Sequence, residues 1–97
     1  MSQLICNNFS ISMHALKAMT KRNILVDEVL EVANVGEIIA KYLEDKPYPS
    51  YLMLHYINRR PIHIVVAKDN ETGNCIIITC YEPEPTLWNV TFTKKIK

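Results

Sequence analysis

Residues 61–81 read PIHIVVAKDNETGNCIIITCY. Two β-branched runs, Ile62-His63-Ile64-Val65-Val66 and Ile76-Ile77-Ile78, flank Asp69-Asn70-Glu71-Thr72-Gly73, a turn-forming cluster. That is the composition of an antiparallel hairpin. Consecutive apolar positions leave both faces of each run apolar, which puts these strands at the centre of a sheet. The same texture begins at Glu37, so strands are expected at residues 37–43, 50–57, 61–68 and 74–81. Glu44-Asp45-Lys46-Pro47 and Asn58-Arg59-Arg60 supply the remaining breaks. Loops this short make a meander. After Pro83 and Pro85, residues 87–92 either add an edge strand or lie across the sheet, with Trp88 as a lid on the core.

Upstream the periodicity changes. Val26, Val29, Leu30 and Ala33 follow i, i+3, i+4, i+7, with Asp27 and Glu28 at the positive end and Gly36 as a stop, which predicts a helix. A preceding helix over residues 13–22 places Ala15, Leu16 and Met19 inward, while His14, Lys17 and Lys21 share another face. Ser10 or Ser12 can cap it. Asn23 and Ile24 connect the two as a helical hairpin, and Leu25 deprives the second helix of a side-chain N-cap. Residues 4–11 read as an edge strand or an extended arm. The expectation is one α+β domain over residues 1–97, two N-terminal helices packed on a four- to five-stranded, mainly antiparallel sheet.

Ninety-seven residues, 48% of them apolar, supply one core and no second domain. No apolar run approaches the roughly 20 residues that span a bilayer, and Met1-Ser2-Gln3 lacks the basic flank of a signal peptide. A cytoplasmic protein without a membrane partner is expected. Cys6, Cys75 and Cys80 are odd in number and lack C-x-x-C spacing, so they read as buried small hydrophobes, not as a disulfide framework or zinc site. Cys75 and Cys80 are five positions apart, which turns them to opposite faces of a regular strand. The net charge of +1 leaves partners open, because a local patch counts for more than the sum.

Strand parity groups the polar candidates. If residues 69–73 close their loop symmetrically, His63 pairs with Thr79 and Pro61 with Tyr81, and His63, Thr79 and Tyr81 share one face. Tyr56 joins them if Arg59-Arg60 is a two-residue turn; an odd loop brings His55 opposite His63 instead. The structural reading of His63 is a core histidine hydrogen-bonded to the Thr79 hydroxyl; the functional one is a proton carrier at the end of the sheet. His14, Lys17, Lys21 and Arg22 read either as a solvated helix face or as a phosphate-binding stripe. No phosphate-cradling glycine loop, H-E-x-x-H or G-x-S-x-G occurs.

Several strings carry a resemblance. They are His14-Ala15-Leu16-Lys17-x-Met19-x-x-Arg22-x-Ile24, Val29-x-x-Val32 with Gly36-Glu37-Ile38-Ile39, Asp45-Lys46-Pro47-Tyr48-Pro49-Ser50, Arg60-Pro61-Ile62-His63-Ile64-Val65-Val66, and Ile78-Thr79-x-Tyr81-Glu82-Pro83 with Trp88. In this order they resemble a small bacterial and archaeal domain-of-unknown-function family grouped with the RelE/ParE and BrnT-like toxins. The resemblance implies a RelE-like fold and a toxin of a type II toxin-antitoxin module. Such a toxin is an RNA endonuclease acting on free or ribosome-bound mRNA, neutralised by a cognate antitoxin that is often a zinc-finger protein. Lys17 stands where arginine is commoner, and Lys94-Lys95-Ile96-Lys97 replaces an arginine-containing tail; both keep the charge and lose the bidentate fork.

Metal-independent RNA cleavage needs a base for the 2′-hydroxyl, an acid for the leaving 5′-oxygen and cations for the phosphorane. On this reading His63 or His14 carries protons, Arg22 acts with them, and Lys17, Lys21, Lys94 and Lys95 clamp phosphate. Tyr81 and Thr79 contact the strand by stacking or hydrogen bonding. No cofactor and no metal are called for. The rivals are a non-catalytic module or degenerate toxin that only pairs with a partner protein, and a metal or small-molecule site using His14, His55 and His63.

Overall fold

The computed structural model describes residues 4–96; the opening Met1-Ser2-Gln3 and the last tail cation, Lys97, lie outside the described residues. The elements in chain order are β1 (Asn8–Ile11), α1 (Met13–Arg22), α2 (Val26–Val35), β2 (Glu37–Tyr42), β3 (Ser50–Ile57), β4 (Arg60–Lys68) and β5 (Asn74–Tyr81). They build an α+β domain with two helices and one five-stranded sheet of order β1-β5-β4-β3-β2. β2 to β5 form the antiparallel meander read from the sequence. The helices are not the first elements, however. A strand precedes them and pairs with β5 in parallel, making the sheet mixed.

One face of the sheet carries the core. Val29, Val32 and Ala33 of α2 and Ala15, Ala18 and Met19 of α1 pack with Met53, Ile62, Ile64, Val66, Ile77 and Cys80, all buried. At about 25 cal/mol per Å² of apolar area, this layer is the main driving force for folding. α1 lies against β5, and α2 against β3 and β4.

Ser12 caps α1, its Oγ accepting from the Ala15 amide at 3.0 Å, and its own amide and hydroxyl donate to the Ile77 and Ile78 carbonyls of β5. The start of α1 is therefore sewn to the strand beside it. Asn23, at φ 56°, ends the helix in the left-handed conformation that asparagine tolerates. Leu25 offers no side-chain cap to α2, but the Glu28 carboxylate accepts from the Leu25 amide at 2.9 Å.

Three register expectations are corrected. Asn58 and Arg59, both at positive φ, form the two-residue turn, so Ile57 pairs with Arg60 and Leu54 with His63. The turn sits one residue earlier than Arg59-Arg60 and leaves Tyr56 on the His63 face, with His55 opposite. In the next hairpin His63 pairs with Tyr81 and Val65 with Thr79, two residues off the symmetric register. One of the two comes from the turn, which pairs Lys68 with Cys75, and the other from a shift between Val65 and Val66, which leaves Ile78 as the extra residue of a β-bulge. The bulge also resets the alternation, so Cys75 and Cys80 both enter the core.

The cysteines correct a fourth expectation. Cys6 and Cys75 form a disulfide across 69 residues, leaving Cys80 as a buried thiol. Spacing gave no hint of this, because the two meet only through the parallel pairing of β1 with β5. Beside it the Asn7 amide donates to the Gly73 carbonyl at 2.8 Å. Gly73 has φ 78°, and a Cβ there would stand 2.4 Å from Asn7 Nδ2. Such cross-links persist in oxidising compartments and open where glutathione keeps thiols reduced. In the chain-entropy picture a loop this long stabilises the fold by about 4 kcal/mol when closed. Denaturant unfolding with and without a dithiol reductant should therefore show an unfolding free energy lower by about 4 kcal/mol in the reduced form, and the Cys6→Ser variant should behave as the reduced protein does.

Candidate functional site

The sheet face away from the helices carries His63, Leu54, Tyr56, Thr79 and Tyr81, and the C-terminal segment folds over its end. Asn89 organises that segment, its Oδ1 accepting from the amides of Thr93 at 2.9 Å and Lys94 at 3.3 Å. A bridge between Trp88 and Lys95 closes it. Trp88 is buried and meets the His63 ring edge-on with centroids 4.5 Å apart, while Phe92 meets Tyr56 at 6.4 Å. Residues 87–92 thus lie across the sheet, with Trp88 as the lid.

His63 has no exposed surface, so both ring nitrogens must find partners inside the protein. Nε2 lies 2.8 Å from the Phe92 carbonyl oxygen, which only accepts, so Nε2 carries the proton. Nδ1 then has a free lone pair and accepts from the Tyr81 hydroxyl at 3.3 Å. Phe92 delivers its carbonyl from φ 58°, a left-handed conformation uncommon for a bulky side chain. Burial holds the imidazole below its usual pKa of 6.5, and the Phe92 carbonyl, which favours the charged ring, offsets this only in part. Burial likewise pushes the Tyr81 phenol up, so it stays protonated. His63 is therefore a neutral ring linking Tyr81 to the lid. Expected from the sequence to act as an acid or base, it has no surface through which to meet a ligand directly, and its sheet partner is Tyr81 instead of Thr79.

The open surface lies beside it. β1 pairs with β5 only as far as Ile77, so the Thr79–Tyr81 end of β5 has no strand neighbour on that side, and α1 runs along it. His14, Lys17, Ala18, Lys21, Arg22, Thr79 and Tyr81 line one groove there. Arg22 and Tyr81 continue into a second depression completed by Glu82, Glu84, Leu87, Trp88 and Lys95. The helix rise of about 1.5 Å per residue puts His14 and Arg22 about 12 Å apart along this track. His14, Lys17, Lys21 and Arg22 are exposed, and none makes an ion pair among the described residues. Lys95 borders the track, whereas its exposed neighbour Lys94 is not among the lining residues.

Arg60, read from the sequence only as a turn residue, positions this helix. Its Nε donates to Glu82 at 3.0 Å and its Nη2 to the Asn23 and Arg22 carbonyls at 3.1 and 3.4 Å, with Glu28 at 3.9 Å from Nη1. One planar fork thereby joins the exposed carbonyls ending α1 to β5's exit and neutralises Glu82. No sequence motif marks this, since the partners lie 22 to 38 residues away. The three histidines do not converge. His55 is on the helix-facing side, 3.1 Å from Glu31, His63 is on the opposite face and His14 is on α1.

The depressed His63 pKa makes a pH prediction. Its folded value lies below the unfolded 6.5, so the unfolded chain binds the extra proton first. This contribution to stability is complete above pH 6.5 and is lost as the pH falls through the folded value. Thermal unfolding between pH 7 and 5.5 should show the melting temperature falling with pH, with a smaller slope in His63→Gln. Equal slopes in the two proteins would contradict the burial argument.

No curated protein and no solved structure matches the chain. The family described as a domain of unknown function, DUF4258, matches residues 11–82. That span runs from the end of β1 through the end of β5, taking in the helix stripe, Arg60, His63, Thr79 and Tyr81 and leaving out the lid. With well over half of its length matched in this way, the chain belongs to the DUF4258 family.

Proposed function

We propose that this chain is a toxin-like, RelE-related protein of a type II toxin-antitoxin module, and that the α1–β5 groove binds RNA and cleaves it without a metal. The observation that carries the reading is one open track where His14, Lys17, Lys21 and Arg22 meet Tyr81 and Thr79, with no carboxylate paired to the cations among the described residues. Cations left unpaired beside an aromatic strand end are what a polyanion with stackable bases requires.

The division of labour differs from the one expected from the residues alone. His14 is the imidazole in the track, so it takes the proton from the 2′-hydroxyl as that oxygen attacks phosphorus, while solvent in the open groove protonates the 5′-oxygen as its bond to phosphorus breaks. Lys17, Lys21 and Arg22 meet the charge that builds on the phosphorane, and Lys95 extends the track toward the lid. His63 acts behind Tyr81 as a positioning residue. The setting proposed is the cytoplasm, where Cys6 and Cys75 stand reduced and the β1–β5 pairing alone holds the arm, with an antitoxin of zinc-finger type as the partner that silences the groove.

A second reading has its own support. With His63 sealed, a single exposed histidine remains in the track, which is sufficient for binding and sparse for two-proton chemistry. On that reading the protein is a degenerate toxin, a non-catalytic binding module.

Incubating the purified protein with a fluorescent single-stranded RNA over a salt series tests both. Binding should weaken with salt, and each of Lys17→Gln, Lys21→Gln and Arg22→Gln should lower the log-log slope by about 0.7. His14→Ala should abolish cleavage and retain binding. Binding without cleavage by the unaltered protein selects the second reading, and no salt-dependent binding contradicts both.

A further inference from the structure

Hydrogen-bond direction at Tyr81 limits what this point of the groove can recognise. The Phe92 carbonyl at 2.8 Å is an acceptor without a proton, so the Nε2 of His63 must donate to it. The neutral ring then has only a lone pair at Nδ1, and the Tyr81 hydroxyl 3.3 Å away must give its proton there. Tyr81 lines the track, and with its single proton spent inward its phenolic oxygen has only lone pairs left to offer a ligand there. A phosphate oxygen or a sugar ether meets such an oxygen with repulsion. A hydroxyl or amino group meets it with a hydrogen bond.

Its neighbours lack this polarity. Lys17, Lys21 and Arg22 donate only, which suits phosphate and is blind to the sugar. Thr79 also lines the groove, but its hydroxyl rotates freely and can donate or accept. Tyr81 is thus a fixed acceptor beside fixed cations. The donor that RNA carries beside every phosphate and DNA lacks is the ribose 2′-hydroxyl.

We infer that Tyr81, with its hydroxyl direction set by the His63–Phe92 pair, is the specificity-determining residue that selects RNA over DNA by accepting a hydrogen bond from a ribose 2′-hydroxyl. This rests on the RNA reading of the groove and adds the residue by which the groove tells RNA from DNA. His63 is a positioning residue in this arrangement and touches no ligand.

The test uses the full chain carrying His14→Ala, so that bound strands stay intact, and one sequence made as RNA, DNA and 2′-fluoro RNA. Fluorine keeps an acceptor at the 2′ position and removes the donor. RNA should bind roughly fivefold more tightly than DNA, the worth of one net hydrogen bond. The 2′-fluoro strand should bind as DNA does. Tyr81→Phe keeps the ring for stacking and should bring the RNA-to-DNA ratio close to one. In His63→Gln, checked for folding by circular dichroism, the hydroxyl direction is no longer imposed, and the ratio should shrink with Tyr81 still present. Tight binding of the 2′-fluoro strand, or an RNA preference that survives Tyr81→Phe, overturns the inference while leaving the groove a nucleic-acid site. Failure of all three strands to bind overturns the groove reading and the inference with it.

Discussion

His63 stands inside the protein with no water to satisfy it, and that single constraint orders the end of the molecule where the groove lies. A buried imidazole with one unmet nitrogen costs about 1–3 kcal/mol. The chain meets the cost by bending Phe92 to positive φ so that its carbonyl faces Nε2, and by setting Tyr81 opposite His63 in the sheet. The lid, the tautomer and the direction of the Tyr81 hydroxyl are one linked arrangement. Trp88, edge-on to the same ring, closes it against solvent.

The cations reach Tyr81 through two anchors on α1. Ser12 ties the helix start to the Ile77 and Ile78 carbonyls, and Arg60 ties its end to Glu82, just past β5. A helix held at both ends against one strand presents its polar stripe at a fixed distance from that strand's side chains. The same face of α1 buries Ala18 beneath the stripe, so the groove has an apolar floor and charged walls. The Cys6–Cys75 bond secures the arm that leads into Ser12.

Much of the fold was legible because it rests on local signals. The periodicity of Val26, Val29, Leu30 and Ala33, the stop at Gly36 and the turn at residues 69–73 depend on near neighbours, and α2, the meander and the His14-Lys17-Lys21 stripe follow from them. What escaped the sequence depends on long-range pairing. The bulge at Ile78, together with a turn one residue off symmetric, moved His63 from Thr79 to Tyr81; the bulge turned Cys80 inward, and nothing in Ile76-Ile77-Ile78 marks which isoleucine is the extra one. The parallel pairing of β1 brought Cys6 to Cys75, and the turn at Asn58-Arg59 lacks the glycine that usually announces it. Of the candidate site, parity placed His63, Tyr81 and Thr79 on one face, but burial is a tertiary property, and parity could not separate the sealed His63 from Tyr81 at the groove.

The account turns on which nitrogen of His63 holds the proton. Nitrogen-15 NMR of imidazole-labelled protein measures it directly. At pH 7 the account predicts a protonated, pyrrole-type Nε2 and a pyridine-type Nδ1. A proton on Nδ1, or a ring already doubly protonated at that pH, would leave Tyr81 without its inward partner and contradict the linked arrangement of lid, sheet and groove.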